Sequence, residues 1–231
     1  MTDRIGIIGA MEDEVTTLIA AMENKTTERI GIVYYHTGTL DGQDVVIARS
    51  GIGKVNAALT AAEMIRTYGA KIIINTGIAG AIDDSLAPED SVVATDLVQH
   101  DYDTSPLGEP GFVSGVAMVR FPADPTVTAV AVAAARSLGV RVLTGTIASG
   151  DQFISDVREK ERIKNSFGAL ACEMEGAAIA HACVFYRVRF AVIRTISDRA
   201  DGSAEIDYPT FAVRAAARNA EIVRKVVSAI R

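Results

Sequence analysis

The 231-residue chain contains no tryptophan, two cysteines and three histidines. Cys172 and Cys183 are too few for a disulfide framework and lack the spacing of metal ligands, so we expect both to be small buried side chains. No apolar run reaches the roughly 18 residues that a membrane-spanning helix needs. The sequence therefore predicts neither a disulfide-stabilised scaffold nor a membrane protein.

Charged residues make up 23% of the chain and give a net charge of −6 at pH 7. The chain has no extended basic run, and an acidic protein is not attracted to the phosphates of nucleic acid or of anionic lipid. A signal peptide has a basic region, a long apolar stretch and a cleavage site in series, and the start of the chain, with its short apolar segment 5–10, does not have this series. We therefore expect a cytoplasmic globular protein, with neither nucleic acid nor a membrane as a partner.

Apolar segments of strand length alternate with segments of helical periodicity along the chain. Strands are predicted at residues 4–9, 30–37, 43–49, 71–76, 90–98, 141–148, 168–173 and 189–196. Helices are predicted at residues 13–23, 54–68, 124–138, 155–165, 175–186 and 209–230. This alternation predicts an α/β fold whose mixed sheet has helices on both faces. No linker or change of composition divides the chain, so one domain is expected over residues 1–231.

Turn-forming residues mark two connections between the predicted elements. Asp41-Gly42 lies between the strands at 30–37 and 43–49 and is typical of the turn of a β-hairpin. Residues 99–122 are rich in glycine and proline and predict a long irregular loop. Loops of that length in compact domains more often serve function than fill space.

Three glycine-containing segments, at residues 9–11, 50–54 and 76–80, are predicted to be turns that follow strands. Ligands of α/β proteins bind at the carboxyl ends of strands, so all three are candidate walls of a site. Segment 50–54 resembles a phosphate-binding loop only superficially, because Val55 follows the lysine where that motif has serine or threonine. Segment 9–11 lacks the dinucleotide-binding pattern. The alternative is that these glycines serve only the turns.

Acidic residues occur at three places that ordinary structural roles explain only in part. The acidic segment 12–14 begins a predicted helix, where one or two carboxylates compensate the helix dipole. Glu173 and Glu175 interrupt an apolar stretch, and a buried charge there needs a partner such as a hydroxyl-bearing ligand. Asp198 directly follows Ser197 at the carboxyl end of the last predicted strand, where it is either a helix cap or a catalytic acid.

Other common chemistries have weaker support in the sequence. The segment 100–103 contains one histidine and two aspartates, but metal sites usually use more imidazole or thiolate ligands, so neither a metal nor a cofactor is predicted. The G-x-S-x-G motif of serine hydrolases is absent, and no cysteine–histidine pair has a supporting context. What remains is carboxylate acid–base chemistry with water as the nucleophile.

Six segments with a distinctive order carry a resemblance to a known family. They are IGIIGAMEDEV (5–15), SGIGKVNAA (50–58), NTGIAG (75–80), SGDQFI (149–154), EMEGAAIA (173–180) and RTISD (194–198). Together they resemble the bacterial 5′-methylthioadenosine/S-adenosylhomocysteine nucleosidases, and the resemblance extends over nearly the whole chain. It implies a nucleoside phosphorylase-like fold, a three-layer α/β/α sandwich around a central twisted mixed sheet, and a homodimer.

The resemblance also implies roles for individual residues. Glu14 matches the carboxylate that activates the attacking water, and Asp198 matches the acid that protonates N7 of adenine. Glu175 matches the residue that binds the ribose 2′ and 3′ hydroxyls. The other substrate-binding positions implied are Met11, Ile52, Ile78, Ala79, Gly80, Phe153, Ile154, Glu173, Met174, Ser197 and Tyr208.

Several of these positions have a specific implied contact. Phe153 is expected to stack on adenine, the backbone of Ile154 to read the edge of the base, and Met174 to lie beneath the sugar. Ser197 is expected to orient the neighbouring acid. The apolar wall around the alkylthio tail is implied to comprise Met11, Ile52 and Tyr208.

Two positions depart from the family pattern. Ile78 stands where the family often has serine, so a hydroxyl that could hold water or ribose is missing and backbone amides must serve instead. Pro106 and Leu107 lie in the loop where relatives often carry an aromatic side chain that enters the neighbouring subunit's pocket. The second departure bears on selectivity for the tail more than on the reaction.

The implied reaction is hydrolysis of the N-glycosidic bond of 5′-methylthioadenosine, S-adenosylhomocysteine and 5′-deoxyadenosine. Adenine leaves poorly as an anion, so a general acid at N7 is needed, and the sugar acquires oxocarbenium character. An aminodeoxyfutalosine nucleosidase would use the same residues and remains an alternative. A purine nucleoside phosphorylase is less favoured, because the acidic segment 12–14 would repel phosphate despite Arg49 and Arg194. A non-catalytic nucleoside sensor is the third alternative.

Overall fold

The computed structural model describes residues 3–199 and 204–230, with the backbone alone described for residues 204–210. Ten strands and six helices lie within these residues. The strands are β1 (Ile5–Gly9), β2 (Glu23–Ile30), β3 (Val33–Leu40), β4 (Gln43–Arg49), β5 (Ile72–Ala81), β6 (Ser91–Gln99), β7 (Arg120–Pro122), β8 (Val142–Ser149), β9 (Ala171–Glu173) and β10 (Arg189–Asp198). The helices are α1 (Glu12–Ala20), α2 (Lys54–Arg66), α3 (Pro125–Ser137), α4 (Val157–Phe167), α5 (Gly176–Tyr186) and α6 (Ala204–Ala229).

All ten strands belong to one mixed sheet, in the order β10-β6-β8-β9-β5-β1-β4-β3-β2, with β7 paired to β6. β1 runs parallel to both β4 and β5, and β10 runs parallel to β5 and antiparallel to β6. Because β10 pairs with both β5 and β6, the strands β5, β10, β6, β8 and β9 form a closed ring. The carboxyl ends of β1, β5 and β10 consequently meet at the same edge.

Alternate side chains of the central strands pack into two hydrophobic cores on opposite faces of the sheet. Ile8 of β1 and Ile73 of β5 pack with α2 and α5 on one face. Ile7 and Ile74 pack with α1, α3 and α6 on the other face. Strands that are covered on both faces have nearly continuous apolar sequences, and β1 and β5 have such sequences. The predicted α/β fold, with a mixed sheet between two helical layers, is confirmed.

Some predicted boundaries are wrong. The predicted strand at 30–37 joins the end of β2 to the first half of β3. β2 is exposed along nearly its whole length and lies at the edge of the sheet, so it has no apolar alternation to reveal it. The predicted glycine turn at 76–80 lies inside β5, which continues to Ala81.

The predicted hairpin turn agrees with the structure, whereas the irregular loop predicted at 99–122 is shorter, because Gln99 ends β6 and residues 120–122 form β7. The hairpin between β3 and β4 turns at Asp41 and Gly42, with φ of +48° and +83°. Such left-handed backbone suits a two-residue hairpin turn. The segment 100–119 is irregular apart from an isolated bridge between Val113 and Met118, and Leu107 is 88% exposed there. Both cysteines are buried.

Two features are absent from the described residues, a metal-binding cluster and a membrane-spanning helix. Within residues 3–199 and 204–230, no three His, Cys, Asp or Glu side chains come together as a metal ion would require. No helix in that part of the chain combines the length and the apolar character needed to cross a membrane.

Candidate active site

A cavity of about 110 Å³ opens at the carboxyl ends of β1, β5, β9 and β10. Its lining consists of Ala10, Met11, Glu14, Ile52, Ile78, Ala79, Gly80, Phe153, Cys172, Glu173, Met174, Glu175, Ser197 and Asp198. All the sequence-predicted site residues except two are in this lining, although they come from segments scattered between residues 11 and 198. Ala10 and Cys172 were not predicted.

The two exceptions are Ile154 and Tyr208. Ile154 is half-buried, and its side chain packs against a small apolar cluster that includes Val98, Ile163 and Phe167, outside the cavity lining. The role predicted for Ile154 concerns its backbone, which this packing leaves open. Tyr208 lies in α6, and its side chain is outside the described part of the chain.

Glu14 lies in the first turn of α1, and the residue is 2% exposed. One oxygen accepts hydrogen bonds from the backbone N–H groups of Ala10 (2.6 Å) and Met11 (2.9 Å), and the other from that of Ile78 (3.0 Å). These donors hold the carboxylate at the floor of the cavity, between the end of β1 and β5. β5 therefore still supports Glu14 through the backbone N–H of Ile78, although residue 78 has no hydroxyl.

Asp198 ends β10 and is 2% exposed. The hydroxyl of Ser197 donates a hydrogen bond to Oδ1 at 2.8 Å. The ammonium of Lys160 lies 3.4 Å from Oδ2. Gly80 of β5 passes directly beneath the carboxylate, since a Cβ there would lie 2.9 Å from Oδ2. The absence of a side chain at residue 80 gives the carboxylate its place at the cavity wall.

Glu173 and Glu175 have different surroundings, although they are two residues apart. Glu173 accepts hydrogen bonds from the N–H groups of Glu175 and Gly176, from the Ser149 hydroxyl and from the Arg194 guanidinium. These protein donors occupy its carboxylate. Glu175 accepts one hydrogen bond from the N–H of Gly53 at 2.9 Å, and its other oxygen lies 3.5 Å from Arg194. Glu175 therefore keeps acceptor capacity for a ligand, and Glu173 serves mainly to position α5 and Arg194.

The charges at this site interact strongly because they are buried. Burial raises the pKa of the Glu175 carboxyl to about 7, the negative charge of Glu173 adds to this shift, and Arg194 opposes it. Burial alone would lower the pKa of Arg194, but the carboxylates of Glu173, Glu175 and Glu14 outweigh that effect and raise it. The guanidinium therefore stays charged and holds the acidic residues together.

Comparison with known proteins places the chain in a family. The family model of the phosphorylase superfamily matches residues 4–228. A 5′-methylthioadenosine/S-adenosylhomocysteine nucleosidase from Shewanella putrefaciens is 42% identical over 222 residues, which cover 95% of this chain and 96% of the relative. The chain belongs to this nucleosidase family of the phosphorylase superfamily.

Solved structures of similar proteins have the same fold as this nucleosidase-family chain. The 5′-methylthioadenosine/S-adenosylhomocysteine nucleosidase from Neisseria meningitidis, in complex with methylthio-immucillin-A, has a TM-score of 0.94 and 38% identity, covering 98% of this chain and 99% of that one. The futalosine hydrolase of Helicobacter pylori has a TM-score of 0.92 and 33% identity, covering 97% of each chain. The predicted nucleoside phosphorylase-like architecture is confirmed.

The nucleosidase-family site contains three buried polar residues that the sequence analysis did not assign to it, and they are Arg194, Asn75 and Lys160. Arg194, 1% exposed, lies in an apolar strand segment and spans from Glu173 to the side-chain oxygen of Asn75, which it reaches at 2.6 Å. Lys160 lies in an otherwise amphipathic helix. A charged residue inside an apolar strand was the available signal for Arg194, because such a charge needs a partner. Nothing in its local sequence distinguishes Lys160.

Proposed function

We propose that this chain hydrolyses the N-glycosidic bond of 5′-methylthioadenosine and S-adenosylhomocysteine, releasing adenine and the thioribose product. The convergence of Glu14, Glu175 and Asp198 on one cavity carries the proposal, because the reaction needs a base, an acid and an anionic ribose contact. Carboxyl groups in different surroundings can serve opposite roles at one pH. The names and ligands of the similar proteins support the same reading.

The proton transfers of the proposed reaction balance between two carboxyl groups. Asp198 donates its proton to N7 of adenine as the C1′–N9 bond breaks, and the bonding electron pair stays with the base. Water attacks C1′, and Glu14 accepts the proton that the water loses. Neutral adenine and the free sugar leave, and the proton returns from Glu14 to Asp198 through solvent. General acid–base catalysis of this kind typically contributes about 10²–10⁴-fold in rate.

The remaining cavity residues are proposed to hold the nucleoside. Glu175 accepts hydrogen bonds from the ribose hydroxyls, and its charge stabilises the oxocarbenium character of the sugar. Met174 lies beneath the sugar, and Phe153, which is 55% exposed, stacks on adenine beside the backbone of Ile154. Met11 and Ile52 contribute to the apolar wall of the 5′ tail. An apolar wall accepts the methylthio group and also the deoxy carbon of 5′-deoxyadenosine.

The charges around the cavity favour water over phosphate as the nucleophile. None of the described residues that line the cavity is lysine or arginine. Arg194 is held by Glu173 and Glu175, and Arg49 pairs with Glu12 at 2.9 Å. Glu12, Asp13 and Glu14 also place negative charge at the first turn of α1, where a phosphate would otherwise bind.

The proposed hydrolysis is tested by measuring adenine release from 5′-methylthioadenosine in phosphate-free buffer and in buffer with added phosphate. We expect the same rate in both, with free thioribose as the co-product. An absolute requirement for phosphate, with a sugar 1-phosphate as the product, would replace the hydrolase with a phosphorylase.

A second candidate substrate is aminodeoxyfutalosine, which differs from 5′-methylthioadenosine only at the 5′ substituent. The likeness to the futalosine hydrolase of Helicobacter pylori favours including it. A panel of adenine nucleosides that differ only at the 5′ position, compared by kcat/KM, separates the two substrates. We expect 5′-methylthioadenosine and S-adenosylhomocysteine to have the higher values.

We also propose that two copies of the chain associate through α2 and α5. Val55 and Leu59 of α2 are 70% and 66% exposed, and Phe185 of α5 is 67% exposed. These side chains line one groove. Ile52 and Phe153, which line the cavity, are also exposed. Exposed apolar patches of this kind mark association surfaces, and a homodimer would cover this one.

A further inference from the structure

Lys160 is a buried lysine that the proposed reaction does not use. It lies on α4 and its side chain is 3% exposed. Its ammonium donates a hydrogen bond to the carbonyl oxygen of Arg199 at 2.6 Å and lies 3.4 Å from Oδ2 of Asp198. Removing an ammonium from water is costly unless a negative partner compensates it, so this contact must matter to the fold or to the reaction.

Asp198 is the acidic group in direct contact with Lys160 among the described residues. The Cys172 thiol of β9 also faces both groups, and burial raises its pKa, which keeps it neutral. Three other charged groups of this region are paired with different partners: Glu173 with Arg194, Asp101 with Lys54, and Glu159 with Arg162. Arg158 and Glu161 are exposed to solvent. The Lys160 charge therefore acts mainly on Asp198.

We propose that Lys160 is a positioning residue that sets the acidity of Asp198 during proton transfer to the nucleoside. This inference rests on the proposed function. When the Asp198 proton moves to N7 and the C1′–N9 electron pair stays on the base, Asp198, which is 2% exposed, is left as a buried carboxylate. The Lys160 ammonium, which keeps all of its own protons, stabilises that new charge at short range.

The sign of the effect on the pH profile follows from the charge of Lys160. A neighbouring positive charge favours the ionised carboxyl, so it makes Asp198 a stronger acid that loses its proton at lower pH. Activity that needs the protonated form of Asp198 therefore declines at high pH earlier than it would without Lys160. Removing the charge moves that decline to higher pH and weakens the proton donor.

The test measures the pH dependence of kcat and kcat/KM for 5′-methylthioadenosine between pH 5 and 10 in three variants. In Lys160→Met we expect kcat to fall roughly 10-fold or more, and the alkaline decline of kcat/KM to move up by about 1 pH unit. Lys160→Arg, which keeps the charge, restores the position of the decline. Lys164→Met removes a lysine of the same helix that pairs with Asp83 and Asp84, and its profile stays that of the unaltered chain.

A purely structural role gives different results. If Lys160 only anchors the Arg199 carbonyl, Lys160→Met lowers the melting temperature or kcat but leaves the alkaline decline in place, which overturns the inference. If Lys160→Met does not fold, Lys160→Gln keeps a donor to that carbonyl without the charge, and the same shift is expected of it. An unaltered chain that releases no adenine overturns the proposed function itself, whereas an active chain with unmoved profiles overturns only the role of Lys160.

Discussion

Glu175 illustrates how the surroundings of one residue determine its chemistry. Its carboxyl is buried next to Glu173, and its pKa is raised to about 7 despite the neighbouring Arg194. A protonated Glu175 accepts ribose hydrogen bonds less well than the ionised form, which is acceptor-only. Binding of the nucleoside should therefore depend on pH near neutrality.

The first prediction concerns this dependence. As pH falls from 8 to 6, the ionised fraction of Glu175 falls, so KM for 5′-methylthioadenosine should rise about 10-fold. Steady-state kinetics over pH 5–8 measures this rise. Glu175→Gln should give a high KM that does not change with pH, because the amide does not titrate. A flat KM in the unaltered chain would contradict the ribose role of Glu175.

The same carboxyl links stability to pH with a defined sign. Between the ordinary value of 4.5 and about 7, the folded chain keeps a proton on Glu175 that the unfolded chain has released. The unfolded state then binds fewer protons, so the contribution of Glu175 to the free energy of unfolding declines as pH rises through that window. This cost at neutral pH accompanies the role in ribose binding that we propose for Glu175.

A second prediction at the residue scale concerns Asp198. Asp198→Asn keeps the shape of the side chain but removes the acidic proton, so kcat should fall by about 10²–10⁴-fold. The dissociation constant of 5′-methylthioadenosine, measured by calorimetry with the variant, should remain close to the KM of the unaltered chain. Robust turnover by Asp198→Asn would remove Asp198 from its proposed role.

At the scale of elements, β5 shapes the site by continuing past the point where a turn was predicted. Gly77 lies within β5 beneath the side chains of Arg194 and Glu14, and a Cβ at residue 77 would overlap both. Helix α6 is fixed above the same strand, because the Asn219 amide donates to the hydroxyl of Thr76 at 2.8 Å and to the Gly77 carbonyl at 3.0 Å. Ile78 packs against Ala215 and Ala216 of α6.

The third prediction follows from this crowding at Gly77. Gly77→Ala should displace Arg194 and Glu14, lowering kcat and reducing the free energy of unfolding by about 1–3 kcal/mol. Urea denaturation and steady-state kinetics measure the two effects. Gly115→Ala is the matched control, since a Cβ there meets nothing within 4 Å and should change neither quantity. If Gly77→Ala had the same kcat and the same free energy of unfolding as Gly115→Ala, Arg194 and Glu14 would not need the space above Gly77.

The elements that the sequence analysis placed incorrectly have a common physical cause. β2 is an exposed edge strand whose pairing with β3 depends on backbone hydrogen bonds rather than on an apolar face. In β5, glycine at 77 and 80 suggested a turn, because glycine is frequent in turns. There the glycines instead make room for Arg194 and Asp198, which arrive from β10.

At the scale of the whole molecule, the exposed apolar face of α2 and α5 predicts the oligomeric state. Leu59→Glu places a charge in the groove beside Phe185 and should convert a dimer to a monomer, because a buried unpaired charge strongly opposes association. Light scattering after size-exclusion chromatography measures the mass. Ile32→Glu, at an exposed apolar residue outside this groove, should leave the dimer intact. A monomeric unaltered chain would contradict the proposal.

The sequence alone determined the alternation of strands and helices, the family and the acidic residues of the candidate site. These are local properties: apolar runs mark the central strands, and each of Glu14, Glu175 and Asp198 stands beside the end of a strand. Only the tertiary structure decided that Arg194 joins Glu173 to Glu175, that Gly77 makes room for it, and that Lys160 reaches Asp198. Those contacts depend on β10 pairing with β5 and on α4 packing nearby, and such long-range pairing is set by the burial of the whole sheet rather than by neighbouring residues.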